Sequence, residues 1–203
     1  MPRSDSLHAQ RNRIRIAQAA ARLIAEPGLS DWSAAKRKAC RELGLGERES
    51  LPGNDEIEQA LRDYNSLFRR DEHIASLRFQ RETALRWMEK LSPWNPVLVG
   101  GVAAGWATQH SDVRLELEAE DPKSVELALI NAGVSYSAAN AQNGTACAAH
   151  LMVERGECPV RLIVVSPPQR RNRLRRDDDA RLSVADLKSL LQDEAVGGGA
   201  ASS

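Results

Sequence analysis

The chain has 203 residues, of which 28 are basic and 28 acidic, so its formal net charge is zero. Because the charges balance, the net charge of the chain gives no indication of a nucleic-acid or acidic partner. No apolar run approaches the ~20 residues that a membrane-spanning helix requires. The three cysteines have no metal-like spacing, and their odd number, without an apolar signal region, is typical of a reducing cytosol. We therefore expect a cytoplasmic protein with no membrane partner.

The first predicted elements are two helices, over residues 8–26 and from Ser30-Asp31 to about Leu43. Residues 1–41 carry nine basic and three acidic side chains, and such an excess is the electrostatic footprint of nucleic-acid binding. The two helices resemble the opening of helix-turn-helix repressors, which place a basic helix in the major groove. The solvent-exposed side of an amphipathic helix has the same pattern, so both interpretations stay open. The candidate nucleic-acid contacts are Lys36, Arg37, Lys38 and Arg41.

Two more predicted helices complete a helical N-terminal region over residues 1–92. One is capped by Asn54 and the other covers about residues 72–91. Pro93 and Pro96 then bracket a short linker, which indicates a domain boundary.

The pattern changes to strands after this linker. Val97–Val99 is predicted to be a short buried strand, and Val102–Thr108 a helical turn of small residues. Asp112–Glu120 alternates charged and apolar side chains, as a half-buried strand does. We expect its apolar side to pack on the core and its charged side to face solvent.

A helix, a third strand and a hairpin are predicted next. Asp121-Pro122 starts the helix and Gly133 ends it. Residues 134–138 form the strand, and residues 148–153 and 160–165 form the hairpin.

The last part of the chain contains a basic run and one more helix. Pro167-Pro168 is predicted to end the hairpin, and the arginine-rich residues 170–176 to form a solvated loop or to contact phosphates. Ser183 and Asp186 have the spacing of a capping box at the start of a helix. The glycine-rich residues 195–203 are predicted to be a disordered tail. The expected architecture is α+β, with a helical region over 1–92 and a mixed sheet flanked by helices over 96–194.

The most informative motif is the glycine pair that follows the strand Val97–Val99. Glycines at a strand end let the backbone close against a phosphate chain, and a carboxylate on the next strand could hold a metal ion against those phosphates. Gly100 and Gly101 are followed, after ten residues, by Asp112. This spacing resembles the motif of the DNA polymerase beta type nucleotidyltransferase superfold: an apolar residue, Gly, Gly or Ser, about ten residues, then Asp-apolar-Asp/Glu-apolar. The chain as a whole also resembles proteobacterial proteins described as nucleotidyltransferase-like.

The resemblance implies roles for individual residues. Gly100 and Gly101 would cradle phosphates, and Asp112 would be the catalytic carboxylate that holds Mg²⁺. The motif's second carboxylate is replaced by Arg114, and the strand that would supply the third carries Arg161. The remaining candidates are Glu116 as a second metal ligand, on the same side of the strand as Asp112, and Trp106 as a stacking partner for a base.

Three interpretations of the motif stay open. An active transferase would use Asp112 and Glu116 to hold Mg²⁺. A domain with a degenerate metal site would bind a nucleotide or another phosphate ligand, with Arg114 supplying the positive charge. In the third interpretation, the glycines form a tight turn beside a solvated sheet surface. We expect the second, with a non-enzymatic protein that binds nucleic acid through its basic N-terminal helices as the alternative.

Overall fold

The computed structural model describes residues 3–26, 28–29, 31–46, 50–139, 149–154, 158–174 and 180–199. These residues form an α+β protein, as predicted. The helices are α1 (Arg3–Ala25), α2 (Trp32–Glu42), α3 (Asn54–Phe68), α4 (Arg70–Lys90), α5 (Gly101–Ala104), α6 (Pro122–Asn131), α7 (Pro167–Leu174) and α8 (Val184–Gly199). The strands are β1 (Val97–Val99), β2 (Val113–Glu118), β3 (Ser137–Ala138), β4 (Ala149–Val153), β5 (Val160–Val165) and β6 (Arg181–Leu182).

The six strands form one mixed sheet in the order β3-β4-β5-β2-β1-β6. The central pair, β2 and β5, is parallel, and every other neighbouring pair is antiparallel. One side of the sheet forms the apolar core, because alternate residues of a strand point to the same side. Its fully buried side chains include Val113, Leu115, Leu117, Leu162 and Val164.

The chain divides into two compact units, and the division lies within α4. The first unit contains residues 1–76 and 106–110, and the second contains residues 77–105 and 111–203. In the first unit, α1 packs against α2 and α3, with Ile16, Ile57 and Leu61 fully buried. The second unit contains the sheet.

Three predicted features of the second unit are found in the structure. β1 has the predicted bounds, and β4 pairs with β5 as the predicted hairpin. The capping box before α8 is also present: Ser183 donates its backbone N–H to Asp186, whose own backbone N–H donates to the Ser183 hydroxyl at 3.2 Å.

None of the helices within the described ranges is both long and apolar enough to cross a membrane.

Other predictions differ from the structure. The hairpin does end at Val165, just before the proline pair, as predicted. The predicted loop over residues 170–176, however, is wrong for residues 170–174, which are helical, because Pro167 begins α7 and proline fits the first turn of a helix. Residues 175–179 lie outside the described part. The N-cap of α3 is Gly53 and not Asn54. Helix α8 extends to Gly199, into the segment predicted to be a tail, and residues 200–203 are also outside the described part. The charged side of β2 is not uniformly solvated, since Glu116 is only 1% exposed.

Candidate functional site

The glycine pair forms a tight turn at the end of β1. Gly100 has φ 73° and ψ −155°, a backbone conformation that is essentially restricted to glycine. Its carbonyl accepts a hydrogen bond from the N–H of Ala104 at 2.9 Å, and the Gly101 carbonyl accepts one from Gly105 at 2.8 Å. We call residues 100–105 the glycine turn.

Arg114 lies directly against this turn. It is paired in register with Val99, the last residue of β1. A Cβ atom on Gly100 would lie 3.3 Å from Cδ of Arg114, so the missing side chain leaves room for the arginine stem. The first glycine and the arginine of the motif are therefore in contact.

Asp112 binds two guanidinium groups. Its Oδ1 accepts a hydrogen bond from Nε of Arg114 at 3.0 Å, and its Oδ2 accepts one from Nε of Arg161 at 2.5 Å. Burial alone would raise the pKa of Asp112, but the positive charges of both arginines and their hydrogen bonds lower it by more, so the pKa lies below that of an ordinary aspartate. Asp112 is therefore ionised at neutral pH and held between two cations.

A second cluster of ion pairs surrounds Glu116. Its carboxylate is bound by Nη2 of Arg181, on β6, and lies 3.8 Å from Nε of Arg170, on α7. Nη1 of Arg170 lies 3.4 Å from the carboxylate of Glu118 and donates to the Asn95 carbonyl at 2.7 Å. The sequence pattern predicted that Glu116 faces solvent, whereas in the structure these two arginines surround it.

Both clusters lie on one side of the sheet, which we call the charged sheet face. Residues paired in register point to the same side of a sheet, which places the side chains from β2, β5 and β6 together, and Arg170 reaches them from α7. The face has one more guanidinium than carboxylate. Its members are Asp112, Arg114, Glu116, Glu118, Arg161, Arg170 and Arg181.

The carboxylates of this face do not fit a shared metal ion. Asp112 and Glu116 are four residues apart on an extended segment, which separates their Cα atoms by about 13 Å at a strand's rise per residue. Ligands of one magnesium ion must lie about 2.1 Å from it. Each of the two carboxylates is also engaged by guanidinium groups. Among the described residues there is no group of three or more Asp, Glu, His or Cys side chains that could hold a metal ion.

Trp106, the predicted base-stacking residue, belongs to the first unit. Its side chain is buried there, 9% exposed, and its ring lies 5.1 Å from that of Trp32, measured between centroids. The two rings are tilted by 59°, a geometry that aromatic pairs in protein cores prefer. The structure thus gives Trp106 a packing contact.

The basic residues of α2 have different surroundings. Arg37 and Arg41 are exposed and one helical turn apart. Lys36 and Lys38 are half-buried, and Lys36 donates a hydrogen bond to Asn54 at 2.9 Å. Partial burial lowers the pKa of Lys36 below its ordinary value. Arg37 and Arg41 are therefore the members of this group best placed to contact a partner.

Arg170 and Arg181 were not identified individually from the sequence. Arg170 is 54 and 52 positions from its partners Glu116 and Glu118, and Arg181 is 65 positions from Glu116, so no local spacing links them to β2. The sequence did contain a signal for such contacts. If β2 is a central strand, Glu116 is buried, and a buried carboxylate requires a counter-charge, which the basic residues later in the chain can supply.

The comparisons with known proteins find no similar protein. No family model, no curated protein and no solved structure matches this chain.

Proposed function

We propose that this protein is a nucleotidyltransferase-like protein with a degenerate metal site that binds a nucleotide or another phosphate ligand without metal. The observation that supports the proposal is the pairing of Asp112 with both Arg114 and Arg161. In the motif that the sequence resembles, the position of Asp112 holds a metal ion. In this chain, guanidinium groups supply the positive charge at that position.

Binding would proceed by exchange of one anion for another. The Arg114 side chain is 36% exposed, whereas that of Arg161 is 12% exposed, so Arg114 is the arginine that an incoming ligand reaches. A phosphate group would compete with Asp112 for its guanidinium, whose planar donors match phosphate oxygens in pairs. Gly100 provides the space in which the arginine lies. Nucleotidyl transfer is not favoured, because it needs carboxylates that hold two cations about 3.5–4 Å apart.

The test is thermal unfolding with a panel of nucleoside triphosphates and tripolyphosphate, each with Mg²⁺ and with a chelator. A ligand at 100 times its Kd stabilises the folded state by about 2.7 kcal/mol. We expect a stabilisation that does not require Mg²⁺. No stabilisation by any of these ligands would refute the proposal.

Two substitutions distinguish an arginine site from a metal site. We expect Arg114→Gln to abolish binding, and Asp112→Asn to retain or strengthen it, because the competing carboxylate charge is removed. Arg78→Gln is the matched control, since Arg78 lies in the same unit, is similarly exposed and pairs with Glu82 one helical turn away. Stabilisation that needs Mg²⁺ and is lost in Asp112→Asn would instead indicate a metal-dependent transferase.

Nucleic-acid binding through α2 is the second candidate function. The observation that favours it is the exposure of Arg37 and Arg41 on consecutive turns of one helix. Such a pair can contact neighbouring phosphates without any enzymatic activity.

A further inference from the structure

Arg81 is a buried arginine in α4, outside the charged sheet face. It is only 7% exposed. Its Nε donates a hydrogen bond to the carbonyl of Val102 at 3.3 Å, and its Nη1 pairs with the carboxylate of Glu194 in α8. A buried guanidinium with this set of partners joins α4, the glycine turn and α8.

The carbonyl that Arg81 binds belongs to the glycine turn. Helix α5 ends at Ala104, so the Val102 carbonyl lies in its last turn, where carbonyls lack a donor within the helix. Val102 is only 1% exposed, so its carbonyl lies away from bulk solvent and needs a partner inside the protein. At the other end of the turn, a Cβ atom on Gly105 would lie 3.6 Å from Nη2 of Arg81. Arg81 therefore binds the turn at Val102 and lies beside it at Gly105.

The same turn supports Arg114. Gly100 begins the turn and lies against the stem of Arg114, whose guanidinium binds Asp112. A continuous series of contacts thus runs from Glu194 through Arg81 and the glycine turn to Arg114. Each contact in this series lies within the second unit.

We infer that Arg81 is a positioning residue of the phosphate site, through which Glu194 of α8 fixes the glycine turn and hence Arg114. This inference rests on the proposed function and adds a regulation to it: the affinity for a phosphate ligand depends on α8 being in place. Removal of the Glu194 charge leaves the Arg81 guanidinium buried without its counter-ion. The guanidinium then has to be solvated, and its hydrogen bond to Val102 is weakened.

The experiment compares Glu194→Gln and Arg81→Lys with a matched control, Lys188→Gln. Lys188 pairs with Glu89 at 2.8 Å, so the control removes another ion pair between α8 and α4 that does not involve the glycine turn. Lysine at position 81 keeps the charge but lacks the fork of donors that reaches two acceptors. Two properties are measured, both at a temperature where every variant is folded.

The first property is hydrogen exchange, by NMR, of the Ala104 and Gly105 amides without ligand, because these amides close the glycine turn. We expect their exchange to accelerate in Glu194→Gln and Arg81→Lys, while the Leu115 and Leu117 amides of β2 are unchanged. The second property is the Kd for tripolyphosphate without metal. We expect it to rise about tenfold in Glu194→Gln, within the usual range of coupling between sites, and to stay unchanged in Lys188→Gln.

The two measurements separate the possible failures. Unchanged exchange of Ala104 and Gly105, or an unchanged Kd in a folded Glu194→Gln variant, overturns the positioning role. If the wild-type protein binds no tripolyphosphate, the proposed function fails, and the exchange data alone decide whether Arg81 and Glu194 fix the turn. A purely structural role would lower the melting temperature of these variants and leave the Kd unchanged.

Discussion

Arg161 donates a hydrogen bond to Asp112 across the two parallel strands at the centre of the sheet, with 2.5 Å between Nε and Oδ2. The contact joins the residue that precedes β2 to the second residue of β5. Arg161 is also the register partner of Arg114, which binds the other oxygen of the same carboxylate. One carboxylate thus binds two guanidinium groups that adjacent strands place side by side.

This arrangement predicts how stability depends on pH. The pKa of Asp112 is lower in the folded state than in an unfolded chain, in which it is about 3.9. Its stabilising contribution is therefore fully present above pH ~4 and is lost as the pH falls through the lowered folded-state pKa. We expect Asp112→Asn to lose less stability than the wild-type protein between pH 5 and about pH 2, as measured by urea denaturation. Parallel curves for the two proteins would contradict the prediction, since all other carboxylates are common to both.

Glu116 and Glu118 form a matched pair for a stability prediction. Glu116 is buried between two arginines, so Glu116→Gln removes a buried counter-charge from Arg181 and Arg170, and we expect a loss of about 3–5 kcal/mol. Glu118 is partly exposed and 3.4 Å from Arg170, so Glu118→Gln should cost at most about 1 kcal/mol. Urea denaturation of both variants checks this difference. Equal losses would mean that burial of Glu116 is not what makes its charge important.

Gly100→Ala is expected to destabilise the folded state by about 1–3 kcal/mol, because of the positive φ and the contact with Arg114. The steric part of this loss should disappear when the arginine stem is removed. We therefore expect the same substitution to cost less in an Arg114→Ala background, as measured by a double-mutant cycle. Strictly additive losses would mean that the backbone conformation alone accounts for the glycine.

The basic helix predicts a specific salt dependence if the protein binds nucleic acid. Each phosphate contact contributes about −0.9 to the slope of log K against log salt concentration for duplex DNA. We expect the double variant Arg37→Gln/Arg41→Gln to reduce the slope by about 2, measured by fluorescence anisotropy with a short labelled duplex. Lys36→Gln is the comparison, and it should change the slope less because Lys36 is bound to Asn54. An unchanged slope in the double variant would remove α2 from this role.

Local signals in the sequence predicted much of the fold. The bounds of β1, the hairpin of β4 with β5 and the capping box of Ser183 with Asp186 all depend on residues close together in the chain. The α+β class followed from these elements. The contact between Gly100 and Arg114 was not predicted, because it depends on the antiparallel register of β1 and β2.

The surroundings of Glu116 could not be predicted for a physical reason. Alternation of charged and apolar residues shows which side of a strand is apolar, but not whether the other side is covered by solvent or by arginines. The covering residues, Arg170 and Arg181, come from a helix where the sequence predicted a loop and from a strand of two residues. The nucleotidyltransferase resemblance stays a prediction, because no comparison with known proteins tests it.

The parallel pairing of β2 with β5 has a consequence for folding kinetics. Parallel neighbours cannot be joined by a tight turn, and the chain forms α6, β3 and β4 between these two strands. The β4–β5 hairpin closes a short loop, whereas Asp112 and Arg161 are 49 positions apart, so their contact carries a larger loop-closure cost. We expect this ion pair to form after the rate-limiting step, so that its loss accelerates unfolding and leaves the folding rate nearly unchanged. The bond between the two central strands would then determine how long the folded molecule persists.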